Sequence, residues 1–253
     1  MIADKLRIRI SDFVDTILYN DTQAFGFIKS DESANTNAFI NKLLPCLLTI
    51  RKRRRQVIHD SIDTALEFHD DNLTERLRSY IDTIIDDVYF KENYFKDLNR
   101  SIWIRPNKNT MVKFDEIIDY ETYITQQDTT TCIRNMLNEY AILPQFKREK
   151  IVFSEELELL RLSYHEDRGV GIEYNGEKLA VVVVYFVTGY TYDQNNYVFC
   201  FDLASKAIRV LLLHKIKRVY LSDEYYNIDQ KISDRLRKII DEQSFVTTEL
   251  FLI

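Results

Sequence analysis

Residues 195–221 read NNYVFCFDLASKAIRVLLLHKIKRVYL, and this stretch decides the reading of the fold. Residues 197–201 are aromatic or apolar throughout, 202–206 supply turn chemistry, and 207–213 form another apolar run broken by one charge, Arg209. The pattern predicts two β-strands joined by a polar turn, then a third strand. Upstream, residues 179–188 (LAVVVVYFVT) are β-branched nearly end to end. Consecutive strands on short loops predict a small antiparallel sheet or barrel.

On these residues the segment resembles the WYL domain, a small Sm-like, SH3-like β-barrel found mostly in bacterial transcription regulators and in proteins attached to phage-defence systems. Asn196, Tyr197 and Val198 fall on the naming triplet, of which the Tyr is kept. Arg209, Leu211, Leu212, His214, Lys215 and Ile216 fall on the strand that follows. The resemblance covers roughly residues 151–223. It implies a face for a nucleotide or a single-stranded nucleic acid, where aromatics stack on bases and Arg pairs with phosphate. The residues it points to are Tyr197, Phe199, Arg209, His214 and Lys215. Strand parity sets a condition, because Tyr197, Phe199 and Phe201 share one face and reach a ligand only if Val198 and Cys200 point to the core. The alternative is that the aromatics are core and Arg209 reaches past them to solvent. A charge within AIRVLLL is costly unless it is paired.

At the other end, KLRIRI (5–10) alternates strictly, with Leu6, Ile8 and Ile10 on one face and Lys5, Arg7 and Arg9 on the other. An amphipathic helix follows, with Ser11 or Asp12 as N-cap, and a second begins near Asn35 or Thr36. Strand, helix, helix with a cationic outer strand face resembles the ribbon-helix-helix DNA-binding module. The resemblance implies that Lys5, Arg7 and Arg9 face base edges while Asn35, Thr36 and Asn37 meet the phosphate backbone. The alternative is an edge strand charged only for solubility. The pattern recurs from Ser101 as SIWIRP: Ile8 and Ile10 return as Ile102 and Ile104, and Thr36, Asn41 and Leu43 as Thr130, Asn135 and Leu137. One chain then has the parts for a two-stranded ribbon, an asymmetric one because the second strand offers Trp103 and Arg105.

Between the two units the sequence predicts a helical connection that starts with RKRRR (51–55) and carries apolar stripes through Ile62 to Phe68 and through Leu77 to Val88. Arg51, Arg53 and Arg54 are candidates for phosphate contact, with a solvated face as the equal alternative. Pro144 ends the helical half, residues 155–164 read as a first barrel strand or a lead-in helix, and residues 228–240 with 245–253 read as a closing helix and strand. The expected fold is α+β, a helical N-terminal half with ribbon-helix-helix-like units followed by a small Sm/SH3-like antiparallel β-barrel. Its parts are a first DNA-binding unit (1–49), a helical connector (50–98), a second ribbon-helix-helix-like unit (99–146), the WYL-like barrel (147–225) and a short C-terminal helix and strand (226–253).

The 253 residues carry a net charge of −6, distributed unevenly. Residues 1–57 hold ten Lys and Arg against six Asp and Glu, whereas 58–150 hold twelve against eighteen and 151–253 twelve against sixteen. A phosphate-binding surface is therefore expected near the N-terminus. The three cysteines, Cys46, Cys132 and Cys200, each sit in an apolar run and read as reduced core thiols. No apolar run approaches the roughly 18 residues of a membrane span, and no leader-like segment opens the chain, so the expectation is a cytoplasmic protein. No G-x-S-x-G, phosphate-cradling glycine loop or H-E-x-x-H occurs, so no enzyme, cofactor or metal is expected. The leading functional expectation is a homodimeric, ligand-responsive transcriptional regulator that binds DNA through its N-terminal half and senses a nucleotide or single-stranded nucleic acid in its barrel. The alternative is an RNA-binding accessory to a CRISPR (type VI) or other phage-defence nuclease.

Overall fold

The computed structural model describes residues 5–65, 76–78, 97–108, 110–112, 122, 127–190, 194–227 and 229–242. Much of the expected connector stripe, most of the segment between Val112 and Gln127 in the second repeat, and the closing strand 245–253 lie outside the described residues. The chain divides into two compact units, Met1–Leu143 and Pro144–Ile253.

The first unit is built on a two-stranded antiparallel ribbon, β1 (Leu6–Ile10) with β2 (Arg100–Ile104). Leu6 faces Ile104, Ile8 faces Ile102 and Ile10 faces Arg100, so the ribbon closes within one chain. Period-two alternation sends Ile8, Ile10, Ile102 and Ile104 into the core. Helix α1 (Asp12–Ala24) starts at once, its N-terminus capped by Ser11, whose hydroxyl accepts from the Val14 amide at 3.3 Å. Helix α2 (Thr36–Ala65) and helix α3 (Thr129–Ala141) supply the rest of the core. Phe39 of α2 packs against Phe25, Phe27 and Tyr140. The Tyr140 hydroxyl donates at 2.5 Å to Asp21, a carboxylate with no exposure.

Helix α2 runs without a break through residue 49, so the expected boundary there does not interrupt the chain, although Pro45 sits inside the helix. A proline removes the N–H that would bond the carbonyl four residues back. That carbonyl, on Asn41, instead accepts from the Thr110 hydroxyl at 3.2 Å, on a residue of the repeat's other half. The lost helical bond is thus replaced by a tertiary one, and the helix continues.

In the second unit, helix α4 (Gln145–Val152) and helix α5 (Ser154–His165) precede a five-stranded antiparallel sheet. Residues 155–164 therefore lie in a helix. The strands are β3 (Arg168–Tyr174), β4 (Glu177–Tyr190), β5 (Asn195–Asp202), β6 (Ala207–Leu212) and β7 (Ile216–Tyr225). Their order is β6-β5-β4-β3-β7, a meander whose last strand returns beside the first. Asn175 and Gly176, both at positive φ (50° and 84°), make the two-residue turn between β3 and β4 that Asn-Gly favours. One turn of 3-10 helix, Leu213–Lys215, carries β6 into β7.

The expected closed barrel is not formed: β6 and β7 are the two edges of an open sheet among the described residues. Within the unit, Glu149 of α4 inserts a fully buried carboxylate. It accepts from the Asn196 amide (2.7 Å) and side chain (2.6 Å) on β5, and from the His214 amide at 3.0 Å. The His214 ring Nδ1 also lies 2.8 Å from it. Backbone groups at the start of β5 and in the 3-10 turn are thereby satisfied by a side chain in place of a neighbouring strand. Helix α6 (Gln230–Glu242) covers the other face of β5, with Leu236 fully buried against Phe199.

A carboxylate that accepts this many N–H groups cannot be exchanged for an amide, whose NH2 meets another donor. Glu149→Gln is expected to destabilise the second unit by about 2–4 kcal/mol in urea denaturation, and an unchanged midpoint would show that this hub is not needed.

Candidate nucleic-acid interface

The same alternation that buries the isoleucines leaves Lys5, Arg7, Arg9, Ser101, Trp103 and Arg105 exposed on the opposite side of the ribbon. Register places Arg7 across from Trp103 and Arg9 across from Ser101. The Trp103 ring, half-exposed, has the Lys5 ammonium 3.9 Å and the Arg7 guanidinium 5.6 Å from its centroid. Arg7 Nε donates to the Ser101 hydroxyl at 3.2 Å. The aromatic ring and its flanking cations hold one another in place, a cation–π arrangement that keeps a flat surface and positive charge together. Among the described residues the two strands bring no carboxylate to this face, and Arg100, across from Ile10 on the other side of the ribbon, pairs with Asp12 at 2.6 Å.

Each half of the repeat grips the strand of the other. From α2, Asn37 Oδ1 accepts from the Arg105 amide at 3.0 Å, and Asn41 donates to the Arg105 carbonyl (3.0 Å) while accepting from the Asn107 amide (2.9 Å). From α3, Arg134 donates to the Arg9 carbonyl at 3.0 Å. Asn37, expected at the phosphate backbone, therefore has its side-chain oxygen committed to β2. Asn35 caps α2, its side chain accepting from the Ala38 amide at 3.2 Å, and Thr36 is half-buried in the first turn. The matching position before α3 is Asp128, whose carboxylate takes the Thr130 and Thr131 amides and is held well below the usual carboxylate range, chiefly by the Thr130 and Thr131 hydroxyls. The two helix N-termini thus differ in charge.

The basic run divides by helical period. Arg51 and Arg55, four apart, are buried, and Arg51 pairs with Glu139 at 3.6 Å, so Arg51 is a core residue and not a phosphate contact. Lys52, Arg53 and Arg54 are exposed. They lie roughly 24 Å along α2 from Asn37, so the structure does not join them to the ribbon.

The candidates in the second unit are scattered. Val198 and Cys200 do point to the core, as parity required, but Phe199 is equally buried because α6 lays Leu236 and Ile232 on the aromatic face. Phe199 is therefore a core residue, and Tyr197 packs at the margin of the same cluster. Arg209 Nη2 lies 3.4 Å from Asp202, which answers the cost of a charge in an apolar strand by local pairing. His214 is bound to Glu149, and Lys215 is exposed in the 3-10 turn. The residue that sequence reasoning did not place in the site is Trp103, although the alternation in SIWIRP already put it in register with the basic strand.

All three cysteines are buried. Among the described residues no group of His, Cys, Asp and Glu gathers to hold a metal ion, and no helix is long and apolar enough to cross a membrane. No family model matches the sequence, and no curated protein matches it. A solved structure described as "Crystal structure of a CRISPR Cas-related protein" is similar in fold, with TM-score 0.62 and 15% identity over 91% of this chain. This chain spans 65% of the length of that one.

Two outcomes follow from the burial of β5. Phe199→Ala is expected to cost about 3–5 kcal/mol of stability by opening a cavity, read by thermal or chemical denaturation, whereas a ligand contact would leave stability intact. Burial pushes the Cys200 thiol from about 9 up to about 12. The unfolded chain releases this proton first, so stability is full below pH 9 and falls as pH rises from about 9 to about 12. Cys200→Ser, tested across that range, is expected to flatten part of the decline.

Proposed function

We propose that this chain is a ligand-responsive nucleic-acid-binding regulator whose β1–β2 ribbon enters the major groove of duplex DNA. The observation that supports this most is the ribbon's outer face: Lys5, Arg7, Arg9 and Arg105 around Trp103, with no acidic side chain from the two strands among the described residues, on a protein of net charge −6. A two-stranded ribbon is one of the few shapes the major groove admits. Arg7 and Arg9 are the base-reading side chains, Lys5 and Arg105 the outer phosphate contacts, and the neutral cap at α2 takes the nearby backbone phosphate where the Asp128 end repels it. The reader is thus polar along its site. Its ribbon is complete in one chain, so the homodimer we include in the proposal forms through other surfaces. In the second unit the strand order, with a 3-10 turn before the returning strand, supports an Sm-like, WYL-type module that senses the ligand, although the sheet is open.

A second reading is favoured by Trp103 and by the CRISPR Cas-related neighbour. In it the protein is an accessory to a CRISPR or other phage-defence nuclease, and Trp103, with Lys5 and Arg7 beside it for the phosphates, stacks on a base of single-stranded RNA.

Fluorescence anisotropy with matched duplex DNA, single-stranded DNA and single-stranded RNA across a salt series separates the two. The first reading predicts a preference for duplex with a steep salt slope, and a loss of about 100-fold or more for the Arg7→Ala, Arg9→Ala pair. Unchanged duplex affinity in that pair would sink the ribbon assignment. The second reading predicts a preference for single strands that survives moderate salt and falls with Trp103→Ala.

A further inference from the structure

The hairpin joining β5 to β6 and the start of α6 enclose a cleft of about 520 Å3. Its floor is apolar, made by Phe201, Ile208 and Ile232, all half-buried, and its rim carries Lys206, Lys231 and Arg235, all exposed. We propose that this cleft binds a small phosphate-bearing ligand with a flat aromatic part, of mononucleotide size.

Charge is the first argument. Lys231 and Arg235 lie four apart on α6, where like charges repel, and Lys206 adds a third cation at the same cleft. None of the three has a carboxylate partner among the described residues. The nearby acids are already engaged. Asp202 accepts from the Ala204 amide at 3.0 Å and the Ser205 hydroxyl at 2.6 Å, and pairs with Arg209 at 3.4 Å. Asp234 accepts from Gln230 at 2.8 Å. Three cations at one cleft, with no carboxylate partner among the described residues, suit a dianionic phosphate. Backbone geometry is the second argument. Lys206 sits at φ 53° in the hairpin turn between β5 and β6, which puts its cation on the rim of the cleft opposite α6. Shape is the third: the volume lies within the range of small-ligand pockets, and the Phe201 and Ile208 floor offers a surface for a planar ring between the cations.

The cleft lies at one end of the β5 face that the sequence suggested. Phe199 is buried there under Leu236 of α6, whereas Phe201, on the same face, lines the cleft with Ile208 and Ile232. The assignment concerns the second unit alone and holds whether or not the ribbon binds nucleic acid.

Isothermal titration calorimetry of the full chain with AMP, adenosine and inorganic phosphate tests it. AMP is expected to bind with Kd below about 1 mM, with adenosine and phosphate each at least about tenfold weaker, since each carries one half of the recognition. Lys206→Glu and Arg235→Glu, both surface changes, are each expected to weaken AMP at least about tenfold with an unchanged melting temperature. Their duplex-DNA affinity, measured in parallel, reports on the ribbon and separates failure of this site from failure of the ribbon reading. Absence of AMP binding at millimolar concentration, phosphate binding as tightly as AMP, or wild-type AMP affinity in both variants would overturn the assignment.

Discussion

The antiparallel pairing of β1 with β2 is the constraint on which the first unit depends. It joins strands whose contacting residues Arg7 and Ser101 are 94 positions apart in sequence. Two strands alone do not make a stable sheet in water, so the ribbon needs a core beneath it. Ile8, Ile10, Ile102 and Ile104 supply its inner face, and α1, α2 and α3 bury them. Once those four residues point inward, the pleat leaves no freedom in the outer face: every second side chain must meet solvent. That those side chains are Lys, Arg, Arg, Ser, Trp and Arg is then a property of the sequence, while their side-by-side placement is a property of the register. The exchange of grips, Asn37 and Asn41 on β2 and Arg134 on β1, ties the two repeats together and fixes that register.

The second unit rests on a different device. A five-stranded meander leaves two edges, and exposed edges invite unwanted pairing. Here Glu149 meets the backbone of β5 and of the 3-10 turn from the side, and α6 covers the aromatic face of β5. Both pack helices against β5, while β6 and β7 remain the open edges among the described residues. The second choice also changes what the strand offers: the middle of a face that alternation makes aromatic becomes core when a helix lies on it, and Phe201 is left at the cleft where that helix begins.

Much of the architecture was legible in the sequence because it follows from short-range periodicity. The strict alternation in KLRIRI and SIWIRP identified both ribbon strands, and their recurrence pointed to pairing within one chain. The β-branched and aromatic runs from Leu179 to Leu221 located four of the sheet's five strands, and β3 (Arg168–Tyr174) lies before them. What periodicity cannot supply is the partner on the far side of each residue. Arg51 looks like part of a solvated basic run until Glu139 is found beside it, and Phe199 looks available until α6 is placed. Residues 155–164 lack a decisive alternation and were open between strand and helix. Whether a sheet closes depends on its two edge strands meeting, which strand periodicity does not encode, and here β6 and β7 are unpaired with each other among the described residues.

Trp103 is the chain's single tryptophan and stands at the centre of the ribbon face, so its emission reports on that face alone. The most direct measurement is a titration of the full chain with duplex DNA, following Trp103 emission and DNA anisotropy in one sample. The account predicts that the emission shifts and saturates together with the anisotropy. Saturated anisotropy with unchanged emission would place the nucleic acid elsewhere on the molecule and contradict it.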